Sequence, residues 1–84
     1  MRKLIEDKED GLISLLGEKV TLMCVNYFYT GILEGVNETC VKLKDPSIVY
    51  ETGAWNEPRW KDIQALPNDI YVQISAIESF GILK

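Results

Sequence analysis

The chain has 84 residues and a formal net charge of −4, with 46% hydrophobic and 26% charged residues. That length suits one domain over 1–84, too small to bury a large core, so oligomerisation is an expected source of added stability. The acidic balance excludes indiscriminate binding to phosphate backbones, which needs a basic surface. No apolar run approaches the roughly 20 residues that span a bilayer.

The first ten residues are rich in charge and carry no apolar stretch of the kind a secretory leader needs. A cytoplasmic location is therefore expected, with Cys24 and Cys40 as free thiols. Leu12, Ile13, Leu15 and Leu16 then fall at helical spacing. Asp10 suits an N-cap and Gly17 suits a helix stop, which predicts a short helix near 10–16, with an extension towards Leu4 left open.

After Gly17 the apolar period becomes two. Val20, Leu22 and Cys24 alternate with Lys19, Thr21 and Met23, predicting a strand over 18–25. A second strand follows over 28–36, interrupted by Gly31 and Gly35, where glycine marks a bend or a close backbone approach. Asn37-Glu38 suits a turn. A third strand is expected over 39–52, with Val41 and Leu43 on one face, Lys42 and Lys44 on the other, and Pro46 as an interruption or edge. Residues 53–69 have no clean period and read as an irregular insertion. Strands over 70–75 and 77–82 close the chain. Short connections between five strands require antiparallel pairing. The expected fold is all-β with a short N-terminal helix: a five-stranded, strongly bent, partly open small barrel.

Catalysis has little basis in these residues. The chain has no histidine, so the commonest general base is absent. No nucleophile motif and no phosphate loop is present. No enzyme activity, cofactor or metal is expected. Glu6, Asp7, Glu9 and Asp10 lack the spacing of a calcium loop and read as a solvated helix start. Asn37-Glu38-Thr39 has the form of a glycosylation sequon but reads as a turn.

Trp55, Pro58, Arg59, Trp60 and Lys61 are the most unusual cluster. Indole faces can stack on bases, and neighbouring cations can hold phosphates. The competing account is that the two indoles anchor the loop, because large aromatics usually bury their area. Lys42, Lys44 and Lys19 could line a basic track, although a solvated strand face explains them as well.

The stretch Leu16-Gly17-Glu18-Lys19-Val20-Thr21-Leu22, followed by Tyr29-Thr30-Gly31-Ile32-Leu33-Glu34-Gly35-Val36-Asn37, resembles the first motif of the Sm and Sm-like proteins. Val41-Lys42-Leu43 is similar to the end of that motif, and Ile74-Ser75-Ala76-Ile77 to the end of the second motif in Hfq-like members. The resemblance implies a homo-oligomeric ring of about five to seven subunits, in the closed cyclic class. It also implies single-stranded RNA, or DNA, bound near the pore by Asn37, Thr39 and Ser75, with Trp55, Arg59, Trp60 and Lys61 adding stacking and phosphate contacts. The departures are specific. Asn37 stands at the family's Asp, Thr39 at its stacking ring, Cys40 or Val41 at its Asn, and Tyr71-Val72-Gln73 where basic or imidazole groups are usual. A structural or protein-interaction ring is the other function these residues allow.

Overall fold

A computed structural model describes residues 2–6 and 10–84. The candidate acidic residues Asp7 and Glu9 lie outside the described residues. A short helix, α1 (Gly11–Ser14), precedes six strands: β1 (Lys19–Cys24), β2 (Phe28–Val36), β3 (Cys40–Glu51), β4 (Asp62–Ala65), β5 (Ile70–Gln73) and β6 (Ile77–Gly81). A 3₁₀ turn, η1 (Ile74–Ala76), links β5 to β6. No described helix is long and apolar enough to cross a membrane.

Helix α1 is shorter than the apolar spacing suggests. Leu12 and Leu15 pack on the core, whereas Ile13 and Leu16 stay exposed. Asp10 sits at the N-cap position but makes no capping bond. Its carboxylate pairs instead with Lys3 Nζ at 3.0 Å. Gly17 adopts φ 87°, and its N–H donates to the Leu33 carbonyl at 2.8 Å, turning the chain into β1. A side chain there would be strained.

All pairings are antiparallel. The strand order is β4-β3-β2-β1-β6, and β5 also lies on β3. Antiparallel order follows from the short connections, as expected. Val20, Leu22, Cys24, Leu33, Val41, Leu43 and Val72 form the buried core on the inner face of the sheet. Each fully buried leucine or valine contributes about 1.5–3 kcal/mol relative to exposure. Thr30 is buried as well, and its hydroxyl donates to the Val20 carbonyl at 2.9 Å.

The number of strands differs from the sequence expectation. The stretch 53–69 is not irregular throughout, because Asp62–Ala65 pairs with β3. Its side chains are all exposed, and the alternation of Ile63 and Ala65 with Asp62 and Gln64 is too short to mark a strand by itself. Strands β4 and β5 run one after the other along the same edge of β3. Leu66 N–H donates to the Pro46 carbonyl between them, and Pro67, which has no N–H, marks the break. The expected five strands are thus six.

The sheet is bent but not closed: among the described residues no ladder joins β5 or β4 to β6. The physical reason lies in η1. It turns the chain away after four residues of β5 and delivers β6 to the far side of β1.

Pro46 does not end β3. Thr30 pairs with Ser47 and Ile32 pairs with Lys44, so Asp45 and Pro46 together face the single residue Gly31. Such a bulge bends the strand and increases its twist. Asp45 takes φ 49° there. A Cβ on Gly31 would lie 3.1 Å from the Lys44 carbonyl oxygen, 3.2 Å from Pro46 Cα and 3.3 Å from Leu43 Cβ. Gly35 is different: the nearest atom to its Cβ would be Lys42 Cβ at 3.9 Å. The register shift beside it comes from Glu34, the extra residue between Leu33 and Gly35.

Gly31→Ala is therefore expected to destabilise the fold by about 1–3 kcal/mol, as overpacking against fixed backbone does. Gly35→Ala should change stability by less than about 1 kcal/mol, towards stabilisation, because it removes only glycine's entropic cost. Urea midpoints at unchanged m would measure both.

Candidate nucleic-acid interface

The β2–β3 turn is built by Asn37. Its Oδ1 accepts from Thr39 N at 2.8 Å, Cys40 N at 2.9 Å and Thr39 Oγ1 at 3.1 Å. Its own N–H donates to the Cys40 carbonyl at 3.0 Å. An Asn side chain that mimics a backbone turn in this way explains its place between two strands. Asn37 was a candidate for contacting a base edge. Its carbonyl oxygen is instead taken by the turn, which leaves the amide NH₂ for a ligand.

The β3–β5 ladder brings the turn beside η1. Cys40 pairs with Gln73, and Ile74 N–H donates to the Thr39 carbonyl at 2.9 Å. Thr39 and Ser75, 36 positions apart in sequence, thereby line one surface depression with Glu38, Cys40, Tyr71 and Gln73. Asn37 lines an adjoining depression that shares Cys40 and Tyr71. The structure thus joins three of the sequence candidates at one end of the sheet.

Tyr71 and Gln73 are the residues that sequence reasoning passed over. Both are exposed and flank buried Val72. Period-two alternation is the signal that could have found them, since it puts an aromatic ring and an amide on the outer face. Tyr71 is 67% exposed, a large aromatic surface with little of its own chain against it. The Lys42 ammonium lies 5.8 Å from its ring centroid. Lys42 also donates to Glu34 Oε1 at 3.1 Å. That hydrogen bond holds the Lys42 pKa above its ordinary value, with Tyr71, Glu34 and Asp69 adding to the effect. The two adjoining depressions together therefore offer hydroxyls, amides, a phenol ring, the Glu38 carboxylate and one cation already paired with a carboxylate.

Trp55, Arg59, Trp60 and Lys61 lie elsewhere. They sit on the 52–61 loop between β3 and β4, at the opposite end of β3 from Thr39. The two groups of candidates do not form one site. The indoles of Trp55 and Trp60 meet edge to face, with centroids 5.8 Å apart. The Lys84 ammonium lies 4.8 Å from the Trp60 ring centroid and 5.5 Å from that of Trp55. Cation–π contacts of this kind contribute about 0.5–1 kcal/mol each near a surface. In the structure the indoles contact each other and the Lys84 ammonium. Arg59 and Lys61 are exposed.

A third groove opens where the sheet fails to close, between the β1–β2 turn and β5. Val25, Tyr27, Tyr29, Ile48, Leu66 and Ile70 line it, and no charged side chain does. Burial pushes the Tyr29 phenol pKa up, helped by Cys24, Tyr27 and Tyr50, so the ring stays neutral. Among the described residues, no cluster of three or more Cys, Asp or Glu could hold a metal ion.

Asn37→Ala should cost about 1–2 kcal/mol in thermal or urea unfolding, because two backbone N–H groups lose their acceptor. Asn37→Asp keeps the acceptor and should stay within about 0.5 kcal/mol of the parent. The two cysteines should also differ. Burial raises the Cys24 thiol pKa, and the Glu78 carboxylate raises it further. A raised pKa means less thiolate at any given pH. Iodoacetamide under native conditions should therefore label half-buried Cys40 before Cys24, with the Cys24 rate climbing as pH rises, as peptide mass mapping would read.

No protein-family model, curated protein or solved structure matches the chain.

Proposed function

We propose that this chain is an Sm-like, ring-forming module that binds single-stranded nucleic acid, RNA or DNA, in nucleic-acid processing. The observation that carries the reading is a pair of unprotected strand edges at the two ends of one curved sheet. Among the described residues β5 pairs only with β3, and β6 only with β1, so each keeps one free edge. β5 contains no charge and no proline, and β6 contains one charge, Glu78. Soluble proteins usually blunt such edges, and unblunted ones template pairing with another chain. One free edge at each end permits head-to-tail addition, which stays soluble when it closes into a ring. Exposed Phe80 and Ile82 near β6, and the uncharged groove beside β5, add apolar surface to the same contact.

A ring would repeat the Thr39–Tyr71–Gln73–Ser75 depression once per subunit. Aromatic faces stack on any base, and hydroxyl and amide groups reach base edges. Tyr71 supplies the ring that Thr39 cannot. The second reading, a protein-interaction ring without nucleic acid, rests on three observations: net charge −4, the Lys42–Glu34 pair and the Asn37 oxygen taken by its turn.

Sedimentation should find a closed assembly of about five to seven copies. Gln73→Pro is a direct test of the edge. Ile74 N–H faces β3, so by alternation Val72 N–H does too, and Gln73 N–H faces outward. Gln73 has φ −71°, which proline accepts. The substitution should leave the fold intact by circular dichroism and dissociate the assembly. A parent protein that sediments as a monomer defeats the ring. Titration with short labelled oligonucleotides at two salt concentrations should give binding that weakens with salt, and Tyr71→Ala should cost about 1–3 kcal/mol of it. A ring that binds no oligonucleotide at low salt belongs to the second reading.

A further inference from the structure

The segment after β6 crosses to the 52–61 loop, where Lys84 Nζ donates three hydrogen bonds. The acceptors are the Thr52 carbonyl at 2.6 Å, the Ala54 carbonyl at 3.0 Å and the Arg59 carbonyl at 3.1 Å. An ammonium has three N–H groups, and all three are used here. The Trp55 and Trp60 indoles flank the same nitrogen. No carboxylate of the described residues pairs with it. The loop is shaped for this arrangement. Gly53 takes φ 71°, where a Cβ would lie 3.2 Å from Lys61 Cβ. Lys61 N–H donates to the Thr52 carbonyl, and Glu57 N–H to the Ala54 carbonyl, fixing two of the three acceptors.

We propose that the 52–61 loop is a binding site for a primary ammonium group, and that Lys84 is its internal, displaceable occupant. The acceptor set defines the ligand class. Three converging carbonyls match a primary ammonium. A trimethylated ammonium has no N–H to give them, and a planar guanidinium presents its donors as a fork. The carbonyls supply partial negative charge and the indole faces supply more, so the site needs no carboxylate. The net charge of −4 favours approach of a cation. A tethered lysine has the advantage of an effective concentration in about the millimolar range, so a free amine competes poorly with it. A lysine side chain on a partner protein, held by further contacts, is the ligand that could take its place. Displacement would free both indoles. This inference is independent of the ring and nucleic-acid reading.

The chain has only two tryptophans, both in this loop, so indole emission reports the site. In Lys84→Met, which keeps the apolar stem, emission should shift to the red and acrylamide quenching should rise. Nα-acetyl-lysine amide should reverse both changes at about millimolar concentration, the range set by the tether. Its Nε-trimethyl analogue should not. Emission unchanged in Lys84→Met overturns the proposal. A red shift that no amine reverses makes Lys84 a structural clasp and also overturns it. Equal reversal by the trimethyl analogue overturns the ligand class. A second measurement needs no variant: excess n-butylammonium should move the indole N–H resonances of the parent protein. Tetramethylammonium at equal ionic strength should not, and equal shifts would count against the site.

Discussion

The close approach of Gly31 to the Asp45–Pro46 bulge governs the shape of the molecule. Two residues of β3 face one residue of β2 there, and the missing Cβ lets the backbones meet. The bend lets a 12-residue strand serve two purposes. Its first part pairs with β5 and its second with β4. The same curvature folds the inner faces of β1, β2 and β3 around Val20, Leu22, Leu33, Val41 and Leu43. A flat sheet of this size would leave those side chains without a second layer to cover them.

Strand pairing along β3 decides where the chemistry sits. The β2–β3 turn, closed by Asn37, meets η1 because β5 pairs with the start of β3. Thr39 and Ser75 share a depression for that reason. The loop after β3 is carried to the other end of the same strand, so the indoles are placed far along the chain path from Thr39. The segment after β6 reaches that loop, and Lys84 joins the two ends of the sheet without a ladder. Curvature brings the edges near each other, and side chains bridge what the backbone leaves open.

Stability and association are linked in such a fold. The fully buried core is small, and several large apolar side chains remain outside it, among them Tyr71 and Ile82. Domains of this length gain much from further burial. The edges of β5 and β6 carry unused backbone donors and acceptors, and the groove beside β5 carries apolar surface. Association along those edges would satisfy both deficits together, which is the physical logic behind the ring reading.

The elements whose side chains alternate between core and solvent were legible along the chain. Val20, Leu22 and Cys24 marked β1, Val41 and Leu43 marked the start of β3, and Gly31 marked a close approach. Local turn chemistry was also legible, as at Asn37. Strand β4 was not, because all four of its residues are exposed and its existence depends on the neighbouring edge of β3. Which candidates share a site was hidden for the same reason. Thr39 meets Ser75 through a ladder, and Trp60 meets Lys84 through curvature, and neither has a local signal. Periodicity records what each residue faces; which distant residue it meets depends on register, bulges and the bend they produce, and these are set by long-range pairing.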